Sequence, residues 1–402
     1  MSNFNCDSFE QIEKNLDRLF VPKYYPGFIL SIYENGNESF FLNKGYDDIF
    51  KKIEYKKDSI FRIYSMTKPI VSTAAMQLIE NKQLDLDDDV TKYIPEWDDA
   101  VFYKSNNKNV ITIKDLFTHT SGLTYAFQGQ SEVDKKYKVS GINSIVDSEL
   151  SSQEIINELS NIPLEFSPGS FYNYSISIDI LGFIIERISN KTLNEYLYEN
   201  IFNILGMKDT AFTLDASKIE RLAMCYRWDE NKNKYEAHDL KTNPNIEAKS
   251  YLKKPSSYSG GAGLLSTMND YQLFGSALLD AKKGRKNPLI NKETANLMMK
   301  NHLPNNKHID QLSKYPLKGE QYYRGLGFGL GGSICIDENA GLSNSNVGDF
   351  GWGGAASTSF FISDKYDYSL VFLTQVLESE ETRKLNSEIK KLVNGCVDVH
   401  KE

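Results

Sequence analysis

Cysteine is scarce in this chain, and its spacing argues against a disulfide framework or a structural zinc site. Four cysteines occur in 402 residues, and no two of them form a CxxC pair. They are Cys6, Cys225, Cys335 and Cys396. Two of the five histidines, His302 and His308, lie six residues apart without neighbouring ligands. We therefore expect reduced thiols and no metal site.

An excess of positive charge is also missing. Lys and Arg number 46 against 54 Asp and Glu, for a formal charge of −8, which disfavours nucleic acid or an anionic membrane as a partner. No apolar run approaches the roughly 20 residues of a membrane span, and the first residues contain acids and no signal-peptide stretch. We expect a cytoplasmic globular protein; nothing in the sequence indicates its oligomeric state.

Two common catalytic patterns are absent or lack their context. No GxSxG occurs, which argues against the nucleophile elbow of ordinary α/β-hydrolases. Residues 327–332 match GxGxxG, but the SICID that follows is typical of a strand. A phosphate-binding turn needs a helix N-terminus at that point, so this match predicts no phosphate site.

Strand patterns lie at both ends of the chain, with helical patterns between them. Asn35-Gly36 between two apolar runs predicts an N-terminal hairpin, and ASTSFFIS, DKYD and YSLVFLTQV predict another near the C-terminus. Apolar spacing predicts helices, which cover residues 8–20, 65–82, 178–188 and 267–282.

This layout predicts an α/β (α+β) fold in which both chain ends contribute to one antiparallel sheet flanked by helices. Residues 1–84 and 252–402 would form this discontinuous domain. Residues 85–251, mostly helical patterns joined by polar turns, would form an inserted α-helical domain. We expect the active site between the two.

Ser65-Met66-Thr67-Lys68 is the strongest local signal. A spacing of three places the serine and lysine on one helical face, and the helix N-terminus stabilises negative charge that develops at Ser65. A buried, neutral lysine can take the serine proton and so create a nucleophile. Taken alone the pattern is weak, because an N-capping Ser65 followed by a solvated Lys68 fits it equally.

Two further motifs have a functional and a structural interpretation. Tyr174, in a turn before a helix, can act as a phenol or phenolate in a proton relay, or can simply pack. Gly351-Trp352-Gly353-Gly354-Ala355 precedes a strand, where glycines let a ligand approach backbone N–H groups or merely form a bend. For His119, in the turn HTSG, a structural hydrogen bond is favoured over catalysis.

The sequence resembles the serine β-lactamase-like superfamily, because it contains Ser-x-x-Lys, Tyr and Trp-Gly-Gly in this order. Within it, the sequence is most similar to the carboxylesterases related to class C β-lactamases (family VIII esterases) and to acyltransferase relatives. The resemblance covers nearly the whole chain, and its passages are DSIFRIYSMTKPIVSTAAM, LDLDDDVTKYIPEW, ITIKDLFTHTSGLTY, PGSFYNYSISIDILG, SGGAGLLSTMNDYQLF and GDFGWGGAASTSFF. The β-lactamase/transpeptidase-like fold is the expectation that follows.

The resemblance also implies catalytic roles. Ser65 would be the acylated nucleophile, Lys68 and Tyr174 its proton-transfer network, and the backbone N–H groups of Ser65 and Ala355 the oxyanion hole. No cofactor is implied.

Two departures bear on the substrate. Class C enzymes have Asn where this chain has Ile176, and Lys-Thr-Gly or its equivalent where it has Trp352, Gly353 and Gly354. We expect these four residues to contact substrate. They lack the polar groups that class C enzymes have at these positions, which favours small to medium acyl esters over β-lactams as substrates. An acyltransferase, a weak β-lactamase, a D-Ala peptidase and a non-catalytic penicillin-binding-like module remain alternatives.

Overall fold

The computed structural model describes residues 4, 6–21, 25–98, 100, 110–229, 231–238, 251–377 and 380–397. The strands among them are β1 (Gly27–Glu34), β2 (Asn37–Gly45), β3 (Phe61–Arg62), β4 (Tyr226–Asp229), β5 (Lys234–Ala237), β6 (Leu265–Ser266), β7 (Leu326–Phe328), β8 (Ser333–Cys335), β9 (Phe350–Gly353), β10 (Ser359–Ser363), β11 (Tyr368–Leu373) and β12 (Val376–Leu377).

The helices in the same residues are α1 (Cys6–Leu19), α2 (Thr67–Glu80), α3 (Ile113–Thr118), α4 (Glu132–Val139), α5 (Ser152–Leu159), α6 (Ser177–Ser189), α7 (Leu193–Leu197), α8 (Asn203–Leu205), α9 (Met268–Lys283), α10 (Lys292–Met298), α11 (Ile309–Leu312) and α12 (Glu380–Gly395). Shorter 3₁₀ turns join several of them, including Tyr64–Met66 before α2.

An antiparallel sheet organises the molecule. Within the described residues it has seven strands in the order β2-β1-β11-β10-β9-β8-β7. β1 from the start of the chain pairs with β11 from its end, with Ile29 opposite Leu373. The predicted fold class is therefore confirmed: both chain ends share one antiparallel sheet, and helices cover it.

The alternation of side chains along the central strands gives the sheet two apolar faces. Phe28, Leu30 and Ile32 of β1 are completely buried in the cluster that α1 and α12 cover. Ile29 points to the opposite face and belongs to the larger cluster that contains α2 and α6. On that inner face α9 packs against β1, β10 and β11.

Both predicted hairpins are present. In the first, Asn35 and Gly36 have φ values of +50° and +73°, the positive angles that a two-residue hairpin turn requires. β10 and β11 form the second. Residues 327–332 lie in the β7–β8 hairpin, so their GxGxxG match does not open a helix.

Three helix predictions agree with α1, α6 and α9, whereas the one over residues 65–82 is wrong at its start. The α-helix begins at Thr67, and Ser65 lies in the preceding 3₁₀ turn. Tyr64 has a φ of +42°, which a right-handed helix cannot accommodate, so the helix does not extend back through it.

The segment between α2 and α9 contains α3 to α8, together with the β4–β5 hairpin. That hairpin pairs in parallel with β12 near the end of the chain, through Tyr226 opposite Val376. The domain division at residues 84/85 and 251/252 stays a prediction.

No helix in the described part of the chain is long and apolar enough to cross a membrane. Over the same residues, no group of three or more His, Cys, Asp or Glu side chains is placed to hold a metal ion. Cys225, Cys335 and Cys396 are free thiols.

Candidate active site

Ser65 lies where strand β3 turns into helix α2. Met66 N–H donates to the Ile63 carbonyl (3.0 Å), and Tyr271 OH donates to the Met66 carbonyl (2.8 Å). These bonds hold the 3₁₀ turn, while the side chain of Ser65 remains half-buried. The strained φ of Tyr64 directly precedes this serine; such angles persist where the surrounding structure enforces them. The turn therefore presents the Ser65 hydroxyl in one fixed place.

Lys68 is completely buried one turn further along. Its Nζ lies 3.3 Å from Ser65 Oγ, 3.1 Å from Tyr125 OH and 2.8 Å from the Gly261 carbonyl oxygen. The nitrogen also lies 4.5 Å from the ring centroid of Tyr174. The interpretation of Lys68 as a solvated surface lysine is wrong, because its amine is directed at the serine inside the protein.

Tyr174 approaches the serine from the turn before α6. Its hydroxyl lies 2.6 Å from Ser65 Oγ. The turn is fixed from the HTSG segment: Asn173 N–H donates to the His119 carbonyl (2.9 Å), and Asn173 Nδ2 donates to the Leu123 carbonyl (3.1 Å). The structure thus brings Ser65, Lys68 and Tyr174 together, and their catalytic roles stay a prediction.

His119 packs against the turn that carries Tyr174. It ends α3 with a φ of +56°, and its Nδ1 accepts from Ser175 N–H (3.3 Å) and lies 3.1 Å from Ser175 Oγ. Its ring packs 4.8 Å from that of Tyr174. Burial, with a smaller contribution from the charge of Lys68, keeps the pKa of His119 well below its usual value. A neutral imidazole at this position agrees with the expected structural hydrogen bond.

The Trp-Gly-Gly motif reaches the same place along β9. The indole of Trp352 is half-buried and packs against Tyr174 and Phe328, with ring centroids 5.7 and 5.1 Å away. A Cβ atom on Gly354 would lie 2.4 Å from the Ile63 carbonyl oxygen, so glycine is needed for the strand end to meet the serine turn. Gly353 is half-buried and Ala355 is exposed beside it. The oxyanion hole formed by Ser65 and Ala355 stays a prediction.

Ile176 does not share this partly open surface. Its side chain is completely buried in the large hydrophobic cluster, and its N–H donates to the Thr124 carbonyl (3.4 Å) at the start of α6. The predicted contact of Ile176 with substrate therefore has no exposed surface to support it and stays a prediction.

Sequence reasoning missed two buried groups behind the serine. Tyr125 OH lies between Lys68 and Asp179, at 3.1 and 3.4 Å. Burial and the negative charge of Asp179 hold the pKa of Tyr125 well above its ordinary value, so the phenol stays protonated. The available signal was an aspartate inside the apolar helix sequence ISIDILGFII, where a buried acid requires partners.

Comparisons with known proteins show the family to which this chain is similar. The model of the family described as Beta-lactamase matches residues 16–394. Esterase EstB from Burkholderia gladioli is 30% identical over 79% of this chain and 78% of its own length. Acyltransferase calJ from Penicillium decumbens is 26% identical over 90% of this chain and 85% of its own.

A solved structure extends the likeness to three dimensions. EstCE1, a hydrolase with promiscuous acyltransferase activity, superposes with a TM-score of 0.81 at 23% identity, over 98% of this chain and 99% of its own. Fold and site thus define a protein built on the β-lactamase scaffold with an Ser-Lys-Tyr constellation. The chain belongs to the Beta-lactamase family, and its relatives include both an esterase and an acyltransferase.

Proposed function

We propose that this protein is a serine hydrolase that cleaves small to medium acyl esters through an acyl-enzyme at Ser65. One observation carries the proposal: Oγ of the half-buried Ser65 contacts the Tyr174 hydroxyl (2.6 Å) and the Lys68 amine (3.3 Å) at once. A hydroxyl between two groups that can accept or donate protons is the arrangement that nucleophilic catalysis needs.

In the proposed reaction, Ser65 Oγ attacks the ester carbonyl carbon while its proton passes to the Lys68–Tyr174 pair. The N–H groups of Ser65 and Ala355 would bind the oxyanion of the tetrahedral intermediate. As the bond to the alcohol oxygen breaks, the pair returns the proton to that oxygen. Water then attacks the acyl-enzyme, releasing the carboxylic acid and restoring Ser65.

The apolar surroundings of Ser65 support an ester over a β-lactam. Trp352 offers a flat indole beside Tyr174, and the ring of Phe328 packs edge-on against the same indole. A β-lactam carboxylate would find no ammonium at position 352, whereas an apolar acyl chain gains contact there.

Transfer of the acyl group to an alcohol is the second candidate, and the likeness to acyltransferase calJ favours it. The first half of the reaction is the same, and an alcohol replaces water in the second. The two candidates therefore differ only in what attacks the acyl-enzyme.

The test combines labelling with product analysis. An organophosphonate should modify Ser65 alone, as peptide mass mapping will show, and Ser65→Ala should abolish labelling. Turnover is then measured on short- and medium-chain nitrophenyl esters and on a chromogenic cephalosporin. Label on another serine, with Ser65 untouched, would refute the assignment of the nucleophile.

Titration with an alcohol separates the two activities. A hydrolase yields acid as its main product at every alcohol concentration, whereas a transferase yields mainly the new ester at millimolar alcohol. Stoichiometric labelling of Ser65 without turnover of any ester would instead support a penicillin-binding-like module.

A further inference from the structure

A buried carboxylate contacts two of the three hydrogen-bond partners of Lys68. Asp179 is the third residue of α6 and only 1% exposed. Its Oδ1 accepts from Ser259 Oγ (2.6 Å) and Gly261 N–H (3.0 Å), and its Oδ2 lies 3.4 Å from Tyr125 OH. Gly261 and Tyr125 in turn supply oxygen atoms to the Lys68 amine. The carboxylate thus fixes the cradle in which Lys68 lies.

This cradle matches the three N–H groups of a lysine ammonium, because each meets one oxygen. It is also too tight for any side chain at Gly261. A Cβ there would lie 2.3 Å from Asp179 Oδ2 and 2.8 Å from Tyr125 OH. Glycine at position 261 is therefore required for this backbone segment to approach Asp179 so closely.

Asp179 and Lys68 can carry opposite charges on the two sides of these hydrogen bonds. Burial raises the pKa of Asp179, and the positive charge of Lys68 opposes that rise. The helix N-terminus at α6 favours the carboxylate form as well. The other titratable groups that face Lys68 are Tyr174, Tyr125 and the neutral His119. Asp179 is therefore the negative charge that faces this buried ammonium among the described residues.

We propose that Asp179 is the counter-ion and a positioning residue of Lys68, acting through Tyr125 OH and the Ser259–Gly261 backbone. The inference rests on the proposed function, since Lys68 is there the proton acceptor for Ser65. Asp179 holds the amine beside Ser65 and stabilises its charged form. It thereby sets the pH range in which the Lys68–Tyr174 pair can take the serine proton.

The first test measures the rate of organophosphonate labelling of Ser65 against pH. Asp179→Asn keeps an oxygen for Ser259 and Gly261 but removes the charge. Loss of that charge destabilises the ammonium form of Lys68, so the Lys68–Tyr174 pair should lose its proton at a lower pH. The acid limb of the labelling-rate profile should therefore move by about one pH unit to lower pH. A merely structural role would lower the rate without moving the limb.

Asp270→Asn is the matched control. Asp270 is also the third residue of its helix, α9, and 3% exposed, and it accepts from Asp209 N–H (2.7 Å) and Thr210 Oγ1 (2.9 Å). No hydrogen bond or ion pair in the described part of the chain joins Asp270 to Lys68, so the pH profile of Asp270→Asn should superpose on that of the wild type.

A stability measurement keeps the proposal testable if Asp179→Asn alone folds poorly. Lys68→Met should lower the midpoint of thermal unfolding, because it leaves the Asp179 carboxylate buried without its cation. Adding Asp179→Asn to Lys68→Met should then raise the midpoint. If the double variant is less stable than Lys68→Met, Asp179 is not the counter-ion.

The outcomes separate this inference from the proposed function. If the wild type is labelled at Ser65 and Asp179→Asn has the same acid limb, the inference alone fails. If the wild type is not labelled at Ser65, the proposed function fails and the inference with it.

Discussion

Among the serines that the structure describes, Ser65 has both an amine and a phenol within hydrogen-bond reach of its oxygen. Lys68 reaches it from the next helical turn and Tyr174 from a turn 109 residues away in sequence. Because both contact the same atom, their effects on proton transfer should depend on each other.

Lys68→Ala and Tyr174→Phe should each lower kcat by about 10²-fold or more, the usual cost of losing a general base or its partner. The double variant should lose much less than the product of the two effects. Steady-state kinetics on one nitrophenyl ester, with circular dichroism to check folding, decides this. If the losses in log kcat add fully, Tyr174 reverts to a packing role.

Trp352 should set the preference between ester and β-lactam. We expect kcat/KM for a simple ester to exceed that for a cephalosporin by at least about 100-fold, or about 2.7 kcal/mol. Trp352→Lys should lower the ratio of the two kcat/KM values, because it offers an ammonium to the β-lactam carboxylate. Trp228→Lys is the control, because Trp228 lies on β4 and packs against a different apolar cluster. An unchanged preference in Trp352→Lys would refute this role.

The sequence could predict Ser65 and Lys68 because Ser-x-x-Lys, Tyr and Trp-Gly-Gly occur together in that order, and because a spacing of three keeps the two side chains close even across the 3₁₀ turn. It could not predict Tyr125, one of 24 tyrosines, since its place at Lys68 depends on how α3 and α6 pack. Ile176 illustrates the reverse: a motif position suggested substrate contact, whereas the side chain is completely buried.

At the scale of secondary-structure elements, the end of β9 and the turn before α2 meet without room for a side chain. Patterns along the sequence predicted helix α2, but neither that Ser65 precedes the α-helix nor that residues 351–353, expected to precede a strand, lie within strand β9. Tyr64 adopts its positive φ through tertiary contacts, which local propensity does not describe.

Gly354→Ala should test that contact. Its Cβ would lie 2.4 Å from the Ile63 carbonyl oxygen and 2.3 Å from Thr358 Oγ1, so β9 must shift away from the serine turn. We expect a loss of stability of about 1 to 3 kcal/mol, measured by urea unfolding. At Gly353 the nearest atom is 3.1 Å away. Gly353→Ala should therefore be less destabilising, and equal losses would contradict this account.

Arg187 of α6 pairs with Glu96 in the turn Pro95–Trp97, through two bonds of 2.8 Å. The hydrogen bonds from Arg187 lower the pKa of Glu96 to about 2, against an ordinary 4.5. The resulting stability is present above about pH 4.5 and is lost as pH falls toward 2, where the folded carboxylate becomes protonated.

Glu96→Gln should therefore lower the free energy of unfolding by about 1 kcal/mol at pH 7, and the difference should shrink below pH 4.5. Unfolding curves across this pH range provide the measurement. Glu320→Gln, which removes the more exposed pair with Arg324, should change stability little at either pH. A difference for Glu96→Gln that persists at pH 2 would exclude the ion pair as its cause.

At the scale of the whole molecule, the sheet separates two apolar clusters with different tasks. The inner cluster contains α2 and α6, which hold Lys68 and Asp179, whereas the outer one joins α1 and α12 to the sheet. Changes in the outer cluster should therefore affect stability without altering the chemistry.

Ile389→Ala removes a side chain of α12 that is 1% exposed in the outer cluster. It should cost about 2 to 5 kcal/mol of unfolding free energy and leave kcat on an ester unchanged below the unfolding transition. Ile204→Ala, at a position 46% exposed, should cost under about 0.5 kcal/mol. A fall in kcat for Ile389→Ala without unfolding would show that the two clusters are coupled.

The pairing of β1 with β11 also governs how the protein can be made. On the ribosome, β1 emerges before β11, which follows only after residues 35–367 have been synthesised. Until then the edge of β1 that faces β11 has no partner, so the first hairpin must avoid pairing with a strand of another molecule. The nascent chain is thus exposed to aggregation while residues 35–367 are synthesised, and the sheet can close only after β11 has followed.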